Sequence, residues 1–530
     1  MKPLELNGEA LTLAEIDLVA GGGRGVSIGA AALARVAASR RRIDAILEAG
    51  ETVYGVNTGF GRLSDVRVAK ESLAQLQLNL VRSHAGGLGD ALAESEARAM
   101  LLLRANVLAK GFSGVRPELL ELLVEMLNGG VTPVIPEKGS VGASGDLAPL
   151  AHLAQVVIGE GEAIYGGERL AGAEALRRAG LTPLALHAKE GLALLNGTQA
   201  MTAVGGLATR RAWRLVQLAD LAGAMTLDAL MGTPAAFDAR IQQARPHPGQ
   251  IAAAAHLLEL LAGSAIRESH RRQDTRVQDA YCLRCMPQVH GAVRDVLQHV
   301  TQVLEVESGS ATDNPLVFEE PASGPSGCAA AVLSGGNFHG APLSYAFDYA
   351  AVALTDLASI TERRIDRLLN PDENEGLPPF LSPQAGLSSG LMMAQIAAAA
   401  LVNECQVLAT PASIGSIPTS GGKEDHVSMG MTAAVKLRRI VENLERIVAI
   451  ELMCAVQALE FREPLQSSAG IRRAQEAVRA ITPRLEEDRS MAAEIEGLAA
   501  ALRAGRFDAW CSAGKVAGEG RPEGSAGGSF

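Results

Sequence analysis

The sequence predicts a mainly α-helical protein, and three observations carry that reading. Nearly half of the 530 residues are apolar, Ala and Leu dominate, and aromatics make up only 3%, a composition that favours helix. Apolar residues recur at helical spacing over long stretches, whereas strand signals are short and few. In chain order, Leu4 and Leu6 alternate with charge and, with Val26, mark small strands. Gly21-Gly-Gly-Arg-Gly25 lacks the Lys-Ser/Thr ending of a phosphate loop and reads as a plain loop. Leu73, Leu76 and Leu80 predict a helix running up to Ser83-His84. Pro117 and Gly130 punctuate a helix whose apolar stripe is Leu119, Leu120, Leu123, Met126 and Leu127. Asp146 as N-cap and Pro149 in the first turn start another, with Leu147, Leu150, Ala151, Ala154 and Val157 on its stripe. Residues 342–369, 383–409 and 433–461 are long helical segments. The last carries Leu437, Ile440, Leu444, Ile447 and Val448 on one side, which suits bundle packing. Length leads us to expect two domains, 1–200 and 201–511, with a disordered Gly-rich tail over 512–530 and a loop over Glu319 to Gly327.

Net charge is −11 and no basic stripe carries interleaved aromatics, so nucleic acid is excluded as a partner. The N-terminal Met-Lys-Pro-Leu-Glu-Leu-Asn lacks an apolar signal core. The most apolar stretch, Gly390 to Ala409, contains Gln395, Asn403, Glu404 and Gln406; it reads as a helix buried in a core or between subunits, not as a membrane span. Cys282, Cys285, Cys328, Cys405, Cys454 and Cys511 are scattered, as expected of reduced cytoplasmic thiols. The Cys282-x-x-Cys285 pair has neither a βαβ context nor a second pair, and the ten histidines show no ligand spacing. No structural or catalytic metal is expected.

Residues 142–150 read Gly-Ala-Ser-Gly-Asp-Leu-Ala-Pro-Leu. By itself a Gly-Ala-Ser-Gly run is a flexible turn. It can also do something rarer. The Gly145 nitrogen, unhindered by a Cβ, can attack the Ala143 carbonyl. Loss of two waters, one of them from Ser144, then leaves a conjugated ring with an exocyclic methylene. That ring is an electrophile, a property no ordinary side chain has. The start of the following helix would make it more electron-poor.

Gly142-Ala-Ser-Gly-Asp-Leu-Ala-Pro-Leu-Ala-His152 resembles the signature of the aromatic amino acid ammonia-lyases, above all their histidine-specific branch. The resemblance recurs at Tyr54-Gly-Val-Asn-Thr-Gly-Phe-Gly61, Ser83-His-Ala-Gly86 and Leu194-Leu-Asn-Gly-Thr198. It continues at Val277-Gln-Asp-Ala-Tyr-Cys-Leu-Arg-Cys285, Gly335-Gly-Asn-Phe-His339 and Glu424-Asp-His-Val-Ser-Met429. The motifs follow the family's order from about residue 50 to about residue 430. The resemblance implies a long-helix bundle of the fumarase/aspartase-like type with a smaller N-terminal α-rich domain. It also implies a 4-methylidene-imidazol-5-one (MIO) group formed from Ala143, Ser144 and Gly145, with no metal or diffusible cofactor.

The family's residues carry over one by one. Asn196 matches the position that binds the ring or the substrate amine. Arg284 matches the carboxylate clamp, for which a planar guanidinium is suited. Gln278 and Phe338 match substrate-binding positions. Tyr54 and Tyr281 both match catalytic positions; one would take the β-proton and the other assist at the amine, with Tyr54 favoured as base. His84, after Ser83, and Glu424 match the imidazole side of the pocket. A carboxylate can accept an imidazole N–H and stabilise the cation, whereas beside a phenyl ring it would be desolvated without a partner. Two departures point towards other branches: Lys423, where a Gln is usual, and Gly340-Ala341, where Ala-Glu is usual. The implied function is a cytoplasmic homotetramer with active sites shared between subunits, converting L-histidine to trans-urocanate and ammonia. Tyrosine or phenylalanine lyases, 2,3-aminomutases and a catalytically silent scaffold stay open as alternatives.

Overall fold

The computed structural model describes residues 1–59, 66–272, 274, 276–318 and 332–511. Phe60-Gly61, Cys328, the loop from Glu319 to Gly327 and the tail from Ser512 lie outside the described residues. The protein is predominantly helical, with four small sheets of two or three strands among the described residues. The chain divides into two compact units. The first comprises Met1–Arg210, Val300–Asp348 and Pro411–Val435; the second comprises Arg211–His299, Tyr349–Thr410 and the described part of Lys436–Phe530.

The first unit contains the expected helix Pro117–Gly129, with Pro117 opening it and Gly130 closing it in the left-handed conformation (φ +75°). Its apolar stripe is wholly buried. Leu4–Leu6 and Val26–Ile28 pair with each other as parallel strands. Strand Leu88–Ala91 pairs antiparallel with Pro136–Lys138. A hairpin of Glu162–Tyr165 and Glu168–Ala171 escaped the sequence reading. Its signal was the two-residue turn Gly166-Gly167, both at positive φ.

The second unit holds most of the long helices Gln199–Ala229, Met286–Ser308, Ala341–Leu369 and Gly430–Glu460. Its core contains ion pairs as well as apolar side chains. Buried Asp220 accepts from His256 Nδ1 (2.7 Å), His290 Nδ1 (2.6 Å) and Arg294 (2.6 Å). Arg364 binds Glu451 with two nitrogens (2.6 and 2.8 Å) and approaches His290 Nε2 at 3.2 Å. A buried charge survives only when its partners are this complete. One helix is shorter than expected. The segment read as 383–409 is helical only over Met392–Leu408, because Gly386 (φ +98°) and Gly390 (φ +62°) turn the chain first.

Among the described residues no helix is long and apolar enough to cross a membrane, and no group of three or more His, Cys, Asp and Glu side chains could hold a metal ion. The five described cysteines are free.

Candidate active site

The Ser140–Asp146 loop follows strand Pro136–Lys138 and leads into helix Leu147–Val157. Gly142 (φ +71°) and Gly145 (φ +72°) flank Ala143-Ser144 with left-handed backbone. Both also need glycine for space. A Cβ on Gly142 would lie 2.1 Å from the Ser428 hydroxyl, and one on Gly145 would lie 2.1 Å from the Gly197 carbonyl oxygen. The loop is thus clamped from two sides. On one side, the Ser428 hydroxyl donates to the Gly142 carbonyl (3.3 Å) and the Met429 N–H to the Val141 carbonyl (2.9 Å). On the other, the Asp146 N–H donates to the Gly197 carbonyl (2.7 Å) and the Gly197 N–H to the Ser144 carbonyl (3.3 Å).

Asp146 stands at the expected N-cap position, but its side chain does not cap its own helix. Its carboxylate instead accepts the Met201 N–H (2.8 Å) in the first turn of helix Gln199–Ala229, and the Ser140 hydroxyl (2.9 Å). The free amides of a neighbouring helix outcompeted those of its own. Burial raises the Asp146 pKa to about 6, against the opposing pull of these bonds.

Asn196 ends helix Glu190–Leu195 and is buried. Its Nδ2 donates to the Asn314 carbonyl (3.3 Å), which can only accept, so Oδ1 is the free end of the amide. Oδ1 is buried and has no hydrogen-bond partner. Such an orphan acceptor costs about 1–3 kcal/mol, and a ligand N–H would remove that cost. The helix is held from beneath by groups the sequence reading missed. Arg104, wholly buried, donates to the carbonyls of Ala193 (2.9 Å) and Asn196 (3.0 Å) and to the Gln199 side chain. Burial lowers its pKa to about 10. At the helix start, Lys189 pairs with Asp313 at 2.9 Å, both fully buried.

Glu424 faces the loop from the other side. The Thr419 hydroxyl donates to its Oε2 (2.8 Å), and the Ser144 hydroxyl donates to its Oε1 (3.3 Å). Phe338 is half-buried in a turn tied to the Asn196 partner: Asn314 Oδ1 accepts the Gly335 N–H (2.7 Å), and its Nδ2 donates to Ser334 (3.1 Å). Tyr54, also half-buried, lies in a turn braced by the Asn57 side chain. A Cβ on Gly55 would come within 2.8 Å of Leu192 and Pro315, so this turn packs against the Asn196 helix and the Asn314-Pro315 segment. His84 is the last residue of helix Leu73–His84. Its Nδ1 lies 2.9 Å from the Leu80 carbonyl, which can only accept, so Nδ1 carries a hydrogen and is engaged with its own helix.

The first unit therefore holds Tyr54, His84, Ala143, Ser144, Gly145, Asn196, Phe338 and Glu424. Gln278, Tyr281 and Arg284 belong to the second. There Tyr281 is 72% exposed, the Arg284 guanidinium lies over its ring at 4.5 Å, and Arg284 Nε is buried without a partner.

The first unit thus brings a half-buried carboxylate, a clamped Ala-Ser-Gly turn and an orphan amide oxygen together. Residues 11–480 match the aromatic amino acid lyase family, and the chain belongs to that family. It is 55% identical to a histidine ammonia-lyase of Koribacter versatilis over 513 residues, 96% of this chain and 99% of that protein. Among solved structures it is similar to histidine ammonia-lyase from Trypanosoma cruzi, with TM-score 0.87 and 41% identity over 96% of this chain and 95% of that one. It is also similar to tyrosine aminomutase from Streptomyces globisporus, with TM-score 0.90 and 41% identity over 96% and 98% of the two chains.

Proposed function

We propose that this protein is a histidine ammonia-lyase, removing ammonia from L-histidine to give trans-urocanate. The reaction expels a poor leaving group from Cα and takes a weakly acidic proton from the β-carbon. The observation that carries the reading is the Ala143-Ser144-Gly145 turn, clamped between Gly197 and Ser428-Met429 with its hydroxyl against Glu424. The clamp supports closure of the Gly145 nitrogen onto the Ala143 carbonyl carbon and loss of two waters. The cradle suits the product: glycine at 142 and 145 admits the neighbouring backbone, and Asn196 offers a buried acceptor. The MIO group so formed supplies the electrophile for the substrate amine.

The other residues bind, orient and move protons. Asn196 Oδ1 accepts an amine N–H. Arg284 holds the substrate carboxylate in two-pronged fashion, with Gln278 and Phe338 completing the binding surface. The Nε2 of a neutral His84 and the Glu424 carboxylate are two acceptors, which together suit the two N–H groups of an imidazolium. Its positive charge acidifies the adjacent β-carbon. Tyr54 takes the β-proton and Tyr281 handles the amine proton.

The sequence departures do not argue against histidine. Lys423 is exposed. Gly340 answers to packing, since a Cβ there would lie 2.5 Å from the Met201 sulfur. We further propose a cytoplasmic homotetramer with shared active sites. Helix Met392–Leu408 supports it: Ala394, Ala398 and Val402 are buried, while Met393, Ile396 and Val407 on its other side are 47–67% exposed. A second copy would cover the apolar residues of that face, which also carries exposed Asn403 and Glu404.

The test is a near-ultraviolet assay with L-histidine, L-tyrosine and L-phenylalanine in parallel, alongside intact-mass spectrometry. Urocanate from histidine alone, from a chain lighter by two waters, is the expected result. Cinnamate or coumarate would hand the pocket to the other branches, a β-amino acid would identify an aminomutase, and an unmodified inert chain would be a silent scaffold. Ser144→Ala should remain folded, keep its full mass and lose activity.

A further inference from the structure

The geometry points to His152 as a positioning residue: from the helix that follows the Ser144 loop, it holds the Gly86-Gly87 turn and so fixes where His84 stands. This inference rests on the histidine reading, in which His84 meets the imidazole. His152 closes the Ala-Pro-Leu-Ala-His end of the signature motif and lies outside the chemistry proposed for the loop.

Helix Leu73–His84 stops at His84 because Ala85 (φ −77°, ψ 61°) bends the chain into an inverse γ-turn, with the Gly86 N–H on the His84 carbonyl at 2.8 Å. The next amide, Gly87 N–H, donates to His152 Nε2 at 3.0 Å. His152 sits in helix Leu147–Val157, which begins directly after the Ala143-Ser144-Gly145-Asp146 run. The same turn is pressed onto the strand that leads into the loop. A Cβ on Gly139 would lie 3.2 Å from Gly87 Cα, and one on Gly87 would lie 3.1 Å from Pro136 Cβ and 3.0 Å from His152 Nε2. Directly beyond, Leu88 is in register with Lys138. The His84 turn is thus held by both shoulders of the electrophile loop, and the His152 shoulder holds it through a side-chain hydrogen bond.

An Nε2 that accepts an N–H must be unprotonated, with the hydrogen on Nδ1. Burial lowers the His152 pKa, which keeps the ring in that form. A glutamine could accept the same N–H through Oε1; a leucine could not.

The experiment is steady-state kinetics with L-histidine on the full-length protein and its His152→Leu, His152→Gln and Gly87→Ala variants, each with its intact mass. Loss of one hydrogen bond that positions a binding group should raise KM on the order of tenfold in His152→Leu. The mass loss of two waters and most of kcat should be retained. His152→Gln should restore KM. Gly87→Ala, which pushes the turn off His152 from the other side, should raise KM as His152→Leu does, and it carries the test if the leucine variant does not fold. In a His84→Ala background, His152→Leu should add nothing. An unchanged KM in His152→Leu, or an equal further rise without His84, overturns the positioning role. A wild-type chain inert towards histidine refutes the function instead.

Discussion

An alanine at Gly145 should stop maturation of the loop and leave the rest of the protein folded. Its φ of +72° costs an alanine about 1–2 kcal/mol. The steric conflict adds to this. The new Cβ would lie 2.1 Å from the Gly197 oxygen and 2.4 Å from its carbonyl carbon, and both are backbone atoms that no rotamer change can move aside. Gly197 must therefore withdraw. That opens the bonds from the Asp146 N–H to Gly197 and from the Gly197 N–H to Ser144, each worth about 1 kcal/mol. The clamped loop is then disfavoured by roughly 3–4 kcal/mol, more than a hundredfold in its population. The assay is a time course of intact mass on freshly purified protein, with thermal melts in parallel. Wild type should lose two waters, and Gly145→Ala should stay at full mass for at least a hundredfold longer while remaining folded, its melting lowered by a few degrees. If the variant lost both waters at the wild-type rate, the clamp would have no part in driving the closure.

Three further outcomes follow from described contacts. Asn196→Ala should leave the two-water mass loss intact while lowering kcat by about tenfold to a hundredfold, the loss expected for one hydrogen bond to a charged group; unchanged turnover would detach Asn196 from the amine. Lys189→Met should destabilise the protein by about 3–5 kcal/mol in urea melts, because it strands the fully buried Asp313 carboxylate; pairing it with Asp313→Asn should recover much of that loss, and no recovery would refute the pairing argument. His290 gives a pH prediction: its Nδ1 side is taken by Asp220 and its Nε2 faces Arg364, so burial and Arg364 resist protonation and its pKa falls to about 4. The unfolded chain binds a proton there near pH 6.5 and the folded one does not, so stability falls as pH drops from about 6.5 towards 4, by up to about 3 kcal/mol. His290→Asn should flatten that part of the melting-versus-pH curve; parallel curves for the two proteins would exclude His290 as its source.

Helix Pro117–Gly129 could be read almost residue by residue, because its stop signals are local: proline fixes the first turn and glycine takes the left-handed cap. The start of helix Met392–Leu408 could not, because the apolar pattern runs on through Gly386 and Gly390 and only their backbone angles break it. At the site, the motifs named the loop, Asn196 and Glu424, whose residue types announce their chemistry. They did not announce Arg104, Lys189 or Asp313. A buried charge and a solvated one are spelt alike, and only the fold reveals which has its partners inside. Asp146 stands at the N-cap position expected of it, but its side-chain partner was not legible for a related reason: its sequence neighbours offered one set of free amides, and the fold brought a second set closer.

The two clamps on the Ser144 loop also set a schedule. The one at Gly197 is near in sequence, but Ser428 reaches the Gly142 carbonyl across 286 residues. A chain still emerging from the ribosome lacks Ser428, so both clamps can close only after most of the polypeptide has been made. A ring closure that needs both clamps would therefore come last. Until then Ser144 would stay an unreactive hydroxyl, and incomplete chains would carry no electrophile with which to alkylate themselves or their surroundings.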